Sequence, residues 1–226
     1  IAKETTLNRS MRATTIMGRK EGELQSTAQL FYPSMQVSDI FDLNVDICQL
    51  GLDQRRANIL GREIAEKLKW KRPVVVSHHM ILGLQGIQAG QDKEEIIIAS
   101  KMSKSKPESA IFMHDDLEEI KKKIGKAYCP EKIIDGNPLF DYLKYLIFRR
   151  YPKINIERPK KFGGDLELNY LDLVSVYEKG KLHPSDLKNA VIFYLNEMIM
   201  PVREYFENNK KAKELYEEVK KYSITR

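Results

Sequence analysis

Five residues near the middle of the chain, KMSKS at positions 101–105, could bind a chain of phosphates. Lys101 and Lys104 are two cations one helical turn apart in sequence, and Ser103 and Ser105 add hydroxyl groups beside them. Charges and donors that close around a pyrophosphate leaving group stabilise its departure, and lysines on a loop that can move suit that task. The same composition is typical of a solvated loop, so this segment alone does not decide between the two interpretations.

A second set of polar side chains lies in YPSMQVSDI, residues 32–40. Residues 32–43 are predicted as a helix with Pro33 in its first turn. On this helix, Tyr32, Gln36 and Asp39 occupy positions i, i+4 and i+7 and share one face. Such a face could form hydrogen bonds to a polar ligand in a cavity. It could equally be a solvent-exposed face on which Tyr32 keeps only its hydroxyl group in water.

A third set follows an apolar segment in VDICQLGLDQRR, residues 45–56. Ligands of open parallel sheets bind at the carboxyl ends of the strands, and Gly51 would let the backbone approach a ligand closely. Asp53 could bond to ribose hydroxyls, while Arg55 and Arg56 could meet phosphates. The alternative is that Asp53 only caps a surface helix.

The elements that would position these residues alternate between strand and helix. Residues 45–51 and 74–77 are predicted as strands, and residues 54–68 between them as an amphipathic helix, which is the βαβ pattern of a parallel sheet. Asp115 or Asp116 could cap a helix that carries LEEIKKKIGKAY. From residue 137 onwards the pattern is mainly helical, apart from a short two-stranded or looped insert, INIERPKKFGGDLELNY. We therefore expect an α/β part in residues 1–135 and a mostly helical part in residues 136–226.

Composition narrows the possible functions only slightly. The 226 residues suffice for two domains, and the net charge of +6 permits a polyanionic partner without demanding one. Cys48 and Cys129 form no CxxC pair, which fits a reducing cytoplasmic environment. The four histidines lack HExxH spacing, so no metal site is predicted. No apolar run reaches membrane-spanning length, and we expect no membrane partner.

Taken together, the motifs resemble one enzyme family along nearly the whole chain. KMSKS matches the signature loop of class I aminoacyl-tRNA synthetases residue for residue. YPSMQVSDI resembles the YPxMQxxD helix of the tyrosine branch, and GLDQRR is similar to its GxDQR(K/R) segment. KAYCP, GNPLFDYLKY, KFGGDL and HPSDLKNAV resemble the carboxyl half of archaeal and eukaryotic-type tyrosyl-tRNA synthetases.

This resemblance implies a fold and an activity. The fold would be the second half of a Rossmann-type parallel sheet, including the KMSKS loop, in residues 1–135. A mostly α-helical anticodon-binding domain would follow in residues 136–226. The activity would be that of a tyrosine–tRNA ligase, which uses ATP and Mg²⁺ to form tyrosyl-adenylate and then transfers the tyrosyl group to the 3′ end of tRNA(Tyr) for translation.

The resemblance also implies roles in binding the two small substrates. Tyr32 and Gln36 would hold the α-ammonium group of tyrosine, Asp39 would accept its phenolic hydroxyl, and Gln54 would complete the pocket. ATP would be bound through its ribose and its phosphates by these residues: Gly51, Asp53, Lys101, Met102, Ser103, Lys104 and Ser105. Among them, Lys101 and Lys104 would be the catalytic cations that stabilise the β- and γ-phosphates.

Contacts with tRNA are implied at two further places. Arg12, Arg55 and Arg56 would face the acceptor stem. Phe162 would stack on the first anticodon base, which is a guanine, and Asp186 would accept hydrogen bonds from the edge of that base. The structural alternatives are a turn-packing aromatic for Phe162 and a helix N-terminal acid for Asp186. His183 is expected to have a structural rather than a catalytic role.

The sequence departs from the family pattern in one respect, and this departure limits the activity expected of the chain alone. No HIGH-type motif precedes these segments, so we expect a synthetase chain that lacks the front half of its nucleotide-binding domain and does not activate tyrosine alone. Two alternatives stay open, a non-catalytic tRNA-binding fragment of a synthetase and a tryptophanyl-tRNA synthetase. The resemblance further implies a cytoplasmic homodimer.

Overall fold

The computed structural model of the protein describes residues 1–18, 24–87, 102 and 106–222. Within these residues the chain divides into two compact units. The first unit comprises residues 1–18 and 24–80, and the second comprises residues 81–87, 102 and 106–222.

The first unit is a βαβ motif preceded by two helices. Its elements are α1 (Leu7–Ala13), α2 (Ala28–Asp42), β1 (Ile47–Gly51), α3 (Arg55–Leu68) and β2 (Val74–His78). Strands β1 and β2 pair in parallel, with Ile47 opposite Val74 and Gly51 opposite His78. The predicted parallel sheet and its crossover helix are therefore confirmed.

Helix α2 begins earlier than the sequence pattern indicated. We expected residues 32–43 with Pro33 in the first turn, whereas the helix begins at Ala28 and contains Pro33 in its interior. Oε1 of Gln29, in the first turn, accepts hydrogen bonds from the backbone N–H groups of Gln25 and Ser26, which lie just before the helix.

Helices α2 and α3 pack closely in the core of this unit. Val37, Leu60 and Ile64 are almost completely buried. Gly61 makes the close approach possible, since a Cβ atom there would lie 3.2 Å from Cδ1 of Ile40. The buried side of α2 is thus fixed by apolar packing, and this packing determines which face of the helix remains accessible.

The other face of the sheet carries apolar side chains at the surface. Ile47, Val74 and Val76 are all exposed, although parallel sheets are usually covered on both faces. In the part of the chain that the structure describes, this sheet has only the two strands β1 and β2.

The second unit is mainly helical and contains one hairpin. Its helices are α4 (Leu117–Lys126), α5 (Pro138–Tyr142), α6 (Phe148–Arg150), α7 (Tyr170–Glu178), α8 (Pro184–Asn208) and α9 (Lys210–Val219), and a π-helical stretch, Leu143–Ile147, joins α5 to α6. Strands β3 (Ile154–Ile156) and β4 (Leu166–Leu168) pair antiparallel, so the insert that we expected to be two-stranded or looped is two-stranded. None of the helices in the described residues is both long and apolar enough to cross a membrane.

Helix α4 belongs to the same core as the helices that follow residue 136. Ile120 and Ile124 of α4 are fully buried in one cluster with Leu143, Leu173 and Leu187. A capping box of Asp116 and Glu119 begins α4, as the two adjacent aspartates had suggested. The compact units therefore divide at residue 81 rather than at 135, because α4 packs on α8. The domain boundary after residue 135 stays a prediction about the family's domains.

Candidate functional site

The accessible face of α2 carries the three polar residues that the sequence singled out. Tyr32 and Asp39 are exposed and Gln36 is half-buried, while Val37 and Ile40 of the same helix point into the core. Apolar packing on one side thus leaves Tyr32, Gln36 and Asp39 aligned on the other, as a 3.6-residue period requires.

Hydrogen bonds join this helix face to the loop after β1. Nε2 of Gln36 donates to Oε1 of Gln54 at 3.1 Å. Nε2 of Gln54 donates in turn to Oδ2 of Asp53 at 3.0 Å and to the carbonyl oxygen of Ile16 at 3.1 Å. The chain Gln36–Gln54–Asp53 brings two groups of residues together that are separate in sequence, and it fixes the orientation of the Gln54 amide.

Gly51 ends β1 against the side chains of Met80 and Asp53. A Cβ atom at this position would lie 2.3 Å from Sδ of Met80 and 2.6 Å from Oδ1 of Asp53. A larger residue here would require these two side chains to move, although the φ of −62° is open to any residue. Gly51 is buried, so the side chains of Met80 and Asp53 cover the backbone at the carboxyl end of this strand, where ligands of parallel sheets bind.

Cys48 lies on β1, before Gly51, and is not a candidate nucleophile for this site. Its side chain is buried, and burial raises the pKa of the thiol. A thiol that stays protonated at neutral pH is a poor nucleophile. Cys48 therefore acts as a small apolar residue beneath the site.

Two of the three predicted acceptor-stem arginines meet at the surface of the first unit. Nη1 of Arg56 donates to the carbonyl oxygen of Arg12 and to Oγ1 of Thr15, both at 2.9 Å. Arg12, Arg55 and Arg56 are all exposed. The interaction places Arg56 beside the carboxyl end of α1, so the positive charges of Arg12 and Arg56 come from two helices held together.

The predicted phosphate loop is described only at one position. Lys101, Ser103, Lys104 and Ser105 lie outside the described residues. Met102 is half-buried and packs against the core of the second unit. Among the residues that the structure describes, no three histidine, cysteine or acidic side chains form a group that could hold a metal ion.

A separate cavity of about 510 Å³ in the second unit brings together both predicted anticodon residues. Phe162 is 62% exposed at the end of a short 3₁₀ helix, and Asp186 lies in the first turn of α8. The cavity is also lined by His183, for which we expected only a structural role, and by four polar residues that no sequence motif had indicated: Glu131, Arg158, Lys181 and Ser185.

Arg158 holds one wall of this cavity in place. Its Nε donates to the carbonyl oxygen of Gly164 and its Nη1 to that of Lys181, both at 2.9 Å. Its backbone N–H also donates to Oδ1 of Asp165. Arg158 therefore ties the turn that carries Phe162 to the segment before α8. No spacing rule marks it, because its partners are backbone carbonyls distant in sequence.

A buried tyrosine positions the opposite wall. The hydroxyl of Tyr177 donates to the carbonyl oxygen of Pro130 at 2.9 Å and lies 3.2 Å from Sγ of Cys129. Burial, with the Cys129 hydrogen bond, raises the pKa of Tyr177 far above its ordinary value, so the hydroxyl remains a donor. This bond fixes the segment that presents Glu131 to the cavity.

His183 caps the helix that carries Asp186. Its Nδ1 accepts a hydrogen bond from the backbone N–H of Ser185 at 3.1 Å, and its Nε2 lies 3.8 Å from Oε1 of Glu131. The cap supports the structural role expected for His183, and the same side chain also lines the cavity.

Comparison with known proteins places this chain among synthetases. The sequence model of the family described as tRNA synthetases class I (W and Y) matches residues 1–200. A tyrosine–tRNA ligase of Thermococcus sibiricus is 47% identical over 242 residues, which cover all of this chain and 64% of that relative. The cytoplasmic tyrosine–tRNA ligase 2 of Arabidopsis thaliana is 46% identical over 227 residues, covering all of this chain and 29% of that relative.

Solved structures agree with these relatives. The crystal structure of tyrosyl-tRNA synthetase from Pyrococcus horikoshii, complexed with L-tyrosine, is similar with a TM-score of 0.84 and 44% sequence identity. The similarity covers 95% of this chain and 62% of that chain. The chain thus spans less than two thirds of the length of each of these relatives, from 29% to 64%.

Proposed function

The chain belongs to the class I tRNA synthetases of the tryptophan and tyrosine group, and on that premise we propose that the protein is a tyrosine–tRNA ligase. It would join L-tyrosine to ATP, giving tyrosyl-adenylate and pyrophosphate, and then transfer the tyrosyl group to tRNA(Tyr). The observation that carries the proposal is the hydrogen-bonded chain Gln36–Gln54–Asp53. It links a polar helix face to the carboxyl end of β1, which is where an amino acid and a nucleotide must meet.

Tyrosine would lie along the accessible face of α2. Tyr32 and Gln36 would hold its ammonium group, and Asp39 its phenolic hydroxyl, because the three residues follow one another along the helix. Gln54 already accepts a bond from Gln36, so it would fix the Gln36 amide and leave the Gln36 carbonyl oxygen to the ammonium group. The relative from Pyrococcus horikoshii, crystallised with L-tyrosine, supports this choice of substrate.

ATP would lie at the end of β1. Gly51 carries no side chain, so the adenosine could approach its backbone once the Met80 side chain moved aside, and Asp53 would accept hydrogen bonds from the ribose hydroxyls. Lys101 and Lys104, aided by Met102, Ser103 and Ser105 of the same loop, would stabilise the negative charge of the departing pyrophosphate as the tyrosine carboxylate attacks the α-phosphorus. Mg²⁺ would arrive bound to the phosphates of ATP rather than in a site built by this chain.

Acceptor-stem binding would use Arg12, Arg55 and Arg56. Exposed arginines on two helices held together by the Arg56 bonds could contact phosphates on successive nucleotides. The second unit would bind the anticodon in the 510 Å³ cavity, with Phe162 stacked on the first base and Asp186 accepting from the guanine edge.

Location in the cell, oligomeric state and the choice between tyrosine and tryptophan are proposed from the relatives of this chain, not from its site geometry. We propose that the protein works in the cytoplasm, in line with relatives named as cytoplasmic enzymes, and that two copies associate through the nucleotide-binding domain. The tryptophan alternative is disfavoured because the compared relatives are named for tyrosine.

A non-catalytic tRNA-binding fragment is the second candidate for the chain by itself. Two observations favour it. The sheet exposes Ile47, Val74 and Val76, and the α2 face with Tyr32 and Asp39 is open. The activation site would require further chain to cover these surfaces, whereas the anticodon cavity is formed within the second unit.

The anticodon assignment can be tested directly on this chain. Asp186→Asn is expected to weaken binding of an RNA hairpin bearing the tRNA(Tyr) anticodon by about fivefold to a hundredfold, since it removes an acceptor from the guanine edge. Fluorescence anisotropy with this hairpin, and with one that has adenine in place of the first anticodon base, measures the effect.

Asp172→Asn is the matched control, because Asp172 also lies in the first turn of a helix but not in the cavity. The adenine hairpin should bind the wild type and Asp186→Asn equally. If Asp186→Asn and Asp172→Asn bound the guanine hairpin alike, the anticodon assignment would be wrong.

A further inference from the structure

A wider, open groove adjoins the anticodon cavity in the second unit. Its volume is about 790 Å³, and it lies between α4 and the first half of α8. His183 and Ser185 line both the groove and the cavity. A single strand whose base entered the cavity would therefore continue past these two residues into the groove. We call this surface the Phe193 groove, after the aromatic residue at its far side.

Phe193 is a large apolar residue that the fold leaves accessible. It is 57% exposed, and its ring packs edge-on against that of Tyr194 with 5.1 Å between the centroids. Tyr194 is itself anchored, because its hydroxyl accepts a hydrogen bond from the backbone N–H of Asn155 at 2.8 Å. The Phe193 ring is thus held in place by Tyr194. Leu117 and Ile192 add further apolar surface to the lining of the groove.

The charge of the groove is positive. Lys121 and Lys188 line it, and no acidic side chain is among its described lining residues. Nζ of Lys188 donates to the carbonyl oxygen of Gly125, and Nζ of Lys121 pairs with Glu118 at its edge, each at 2.8 Å. An ammonium group has three donors, so both lysines keep donors that could reach a phosphate.

An accessible aromatic ring beside cations is the combination that binds single-stranded nucleic acid, by stacking a base and neutralising its phosphate. We propose that the Phe193 groove binds the anticodon-loop nucleotide adjacent to the base held by Phe162 and Asp186. Phe193 stacks on that base, and Lys121 and Lys188 bind the phosphates on its two sides. This inference rests on the proposed function, since it requires the anticodon base in the neighbouring cavity.

The test measures binding of the chain to the tRNA(Tyr) anticodon hairpin. Phe193→Ala is expected to weaken binding by about fivefold to a hundredfold, the usual cost of removing one stacking partner. Lys121→Gln is expected to lower the slope of log affinity against log salt by about 0.7, as for one lost phosphate contact on a single strand. Matched controls on the same unit are Tyr205→Ala, an exposed aromatic on α8, and Lys211→Gln, and both should bind like the wild type.

Abasic hairpins identify the nucleotide in the groove. One hairpin lacks the base before the first anticodon position, and another lacks the base after it. For one of the two, removing the base should weaken wild-type binding but cause no additional loss in Phe193→Ala, because the two changes delete the same contact.

The outcomes separate this inference from the anticodon assignment. If Phe162→Ala weakens binding while Phe193→Ala and Lys121→Gln leave it unchanged, the groove is not an RNA site and the anticodon cavity stands. If Phe162→Ala also has no effect, both proposals fail. Unchanged RNA binding by Phe193→Ala, with loss of self-association in sedimentation, would assign the groove to a protein partner and overturn the inference.

Discussion

Asp115→Ala is expected to lower the free energy of unfolding of the second unit by about 3 to 5 kcal/mol, the usual cost of leaving one member of a buried ion pair without its partner. The side chains of Asp115 and Lys123 are only 3% and 13% exposed, and Oδ2 of Asp115 lies 2.5 Å from Nζ of Lys123. The same oxygen accepts from the backbone N–H of Phe112 at 2.9 Å. Removing the carboxylate therefore leaves a buried cation and a backbone donor unsatisfied.

Urea unfolding of the chain, followed by circular dichroism, measures this loss. Glu118→Ala is the control, because it removes the partner of Lys121 in a pair with exposed side chains and should change stability by no more than about 0.5 kcal/mol. Replacing both Asp115 and Lys123 by leucine and methionine should recover much of the loss, since no charge then remains buried. Equal stability of Asp115→Ala and Glu118→Ala would mean that the ion pair of Asp115 and Lys123 does not stabilise the second unit.

Asp39→Ala in the full-length protein is expected to reduce the preference for tyrosine over phenylalanine by about tenfold to a hundredfold. A hydrogen bond to a charged acceptor contributes about 1.5 to 3 kcal/mol, and tyrosine alone can donate to it. Amino-acid-dependent exchange of pyrophosphate with ATP, measured with each substrate, gives the ratio of their kcat/KM values.

Asp42→Ala provides the comparison for Asp39. It removes an exposed carboxylate one turn later on α2, beyond the three residues proposed to line the pocket, and should leave the ratio unchanged. An Asp39 variant that retained the wild-type ratio would exclude Asp39 from recognising the phenolic hydroxyl.

Local patterns in the sequence predicted most of the elements. The β-branched segment at Val74, the glycine at the end of β1 and the acid pair before α4 each act through neighbours a few residues away. The start of α2 was missed because proline favours the first turn of a helix, whereas α2 contains Pro33 in its interior, and no local pattern marks the bond from the Gln25 N–H to the Gln29 side chain. Propensity alone could not reveal that bond.

The candidate sites depend on contacts between distant residues, and these could be predicted only in part. Helical spacing correctly aligned Tyr32, Gln36 and Asp39. Sequence distance concealed the bond from Gln36 to Gln54 and the bond from Arg158 to Lys181 beside the cavity of the second unit, because neither partner follows a local spacing rule. Only the tertiary structure brings these groups within hydrogen-bonding distance.

The most direct test of the proposed function is exchange of pyrophosphate with ATP, measured on the full-length protein and on this chain with tyrosine and with tryptophan. We predict exchange with tyrosine by the full-length protein, and none by the chain alone, in which the α2 face is open. Exchange with tryptophan but not with tyrosine would contradict the proposed function.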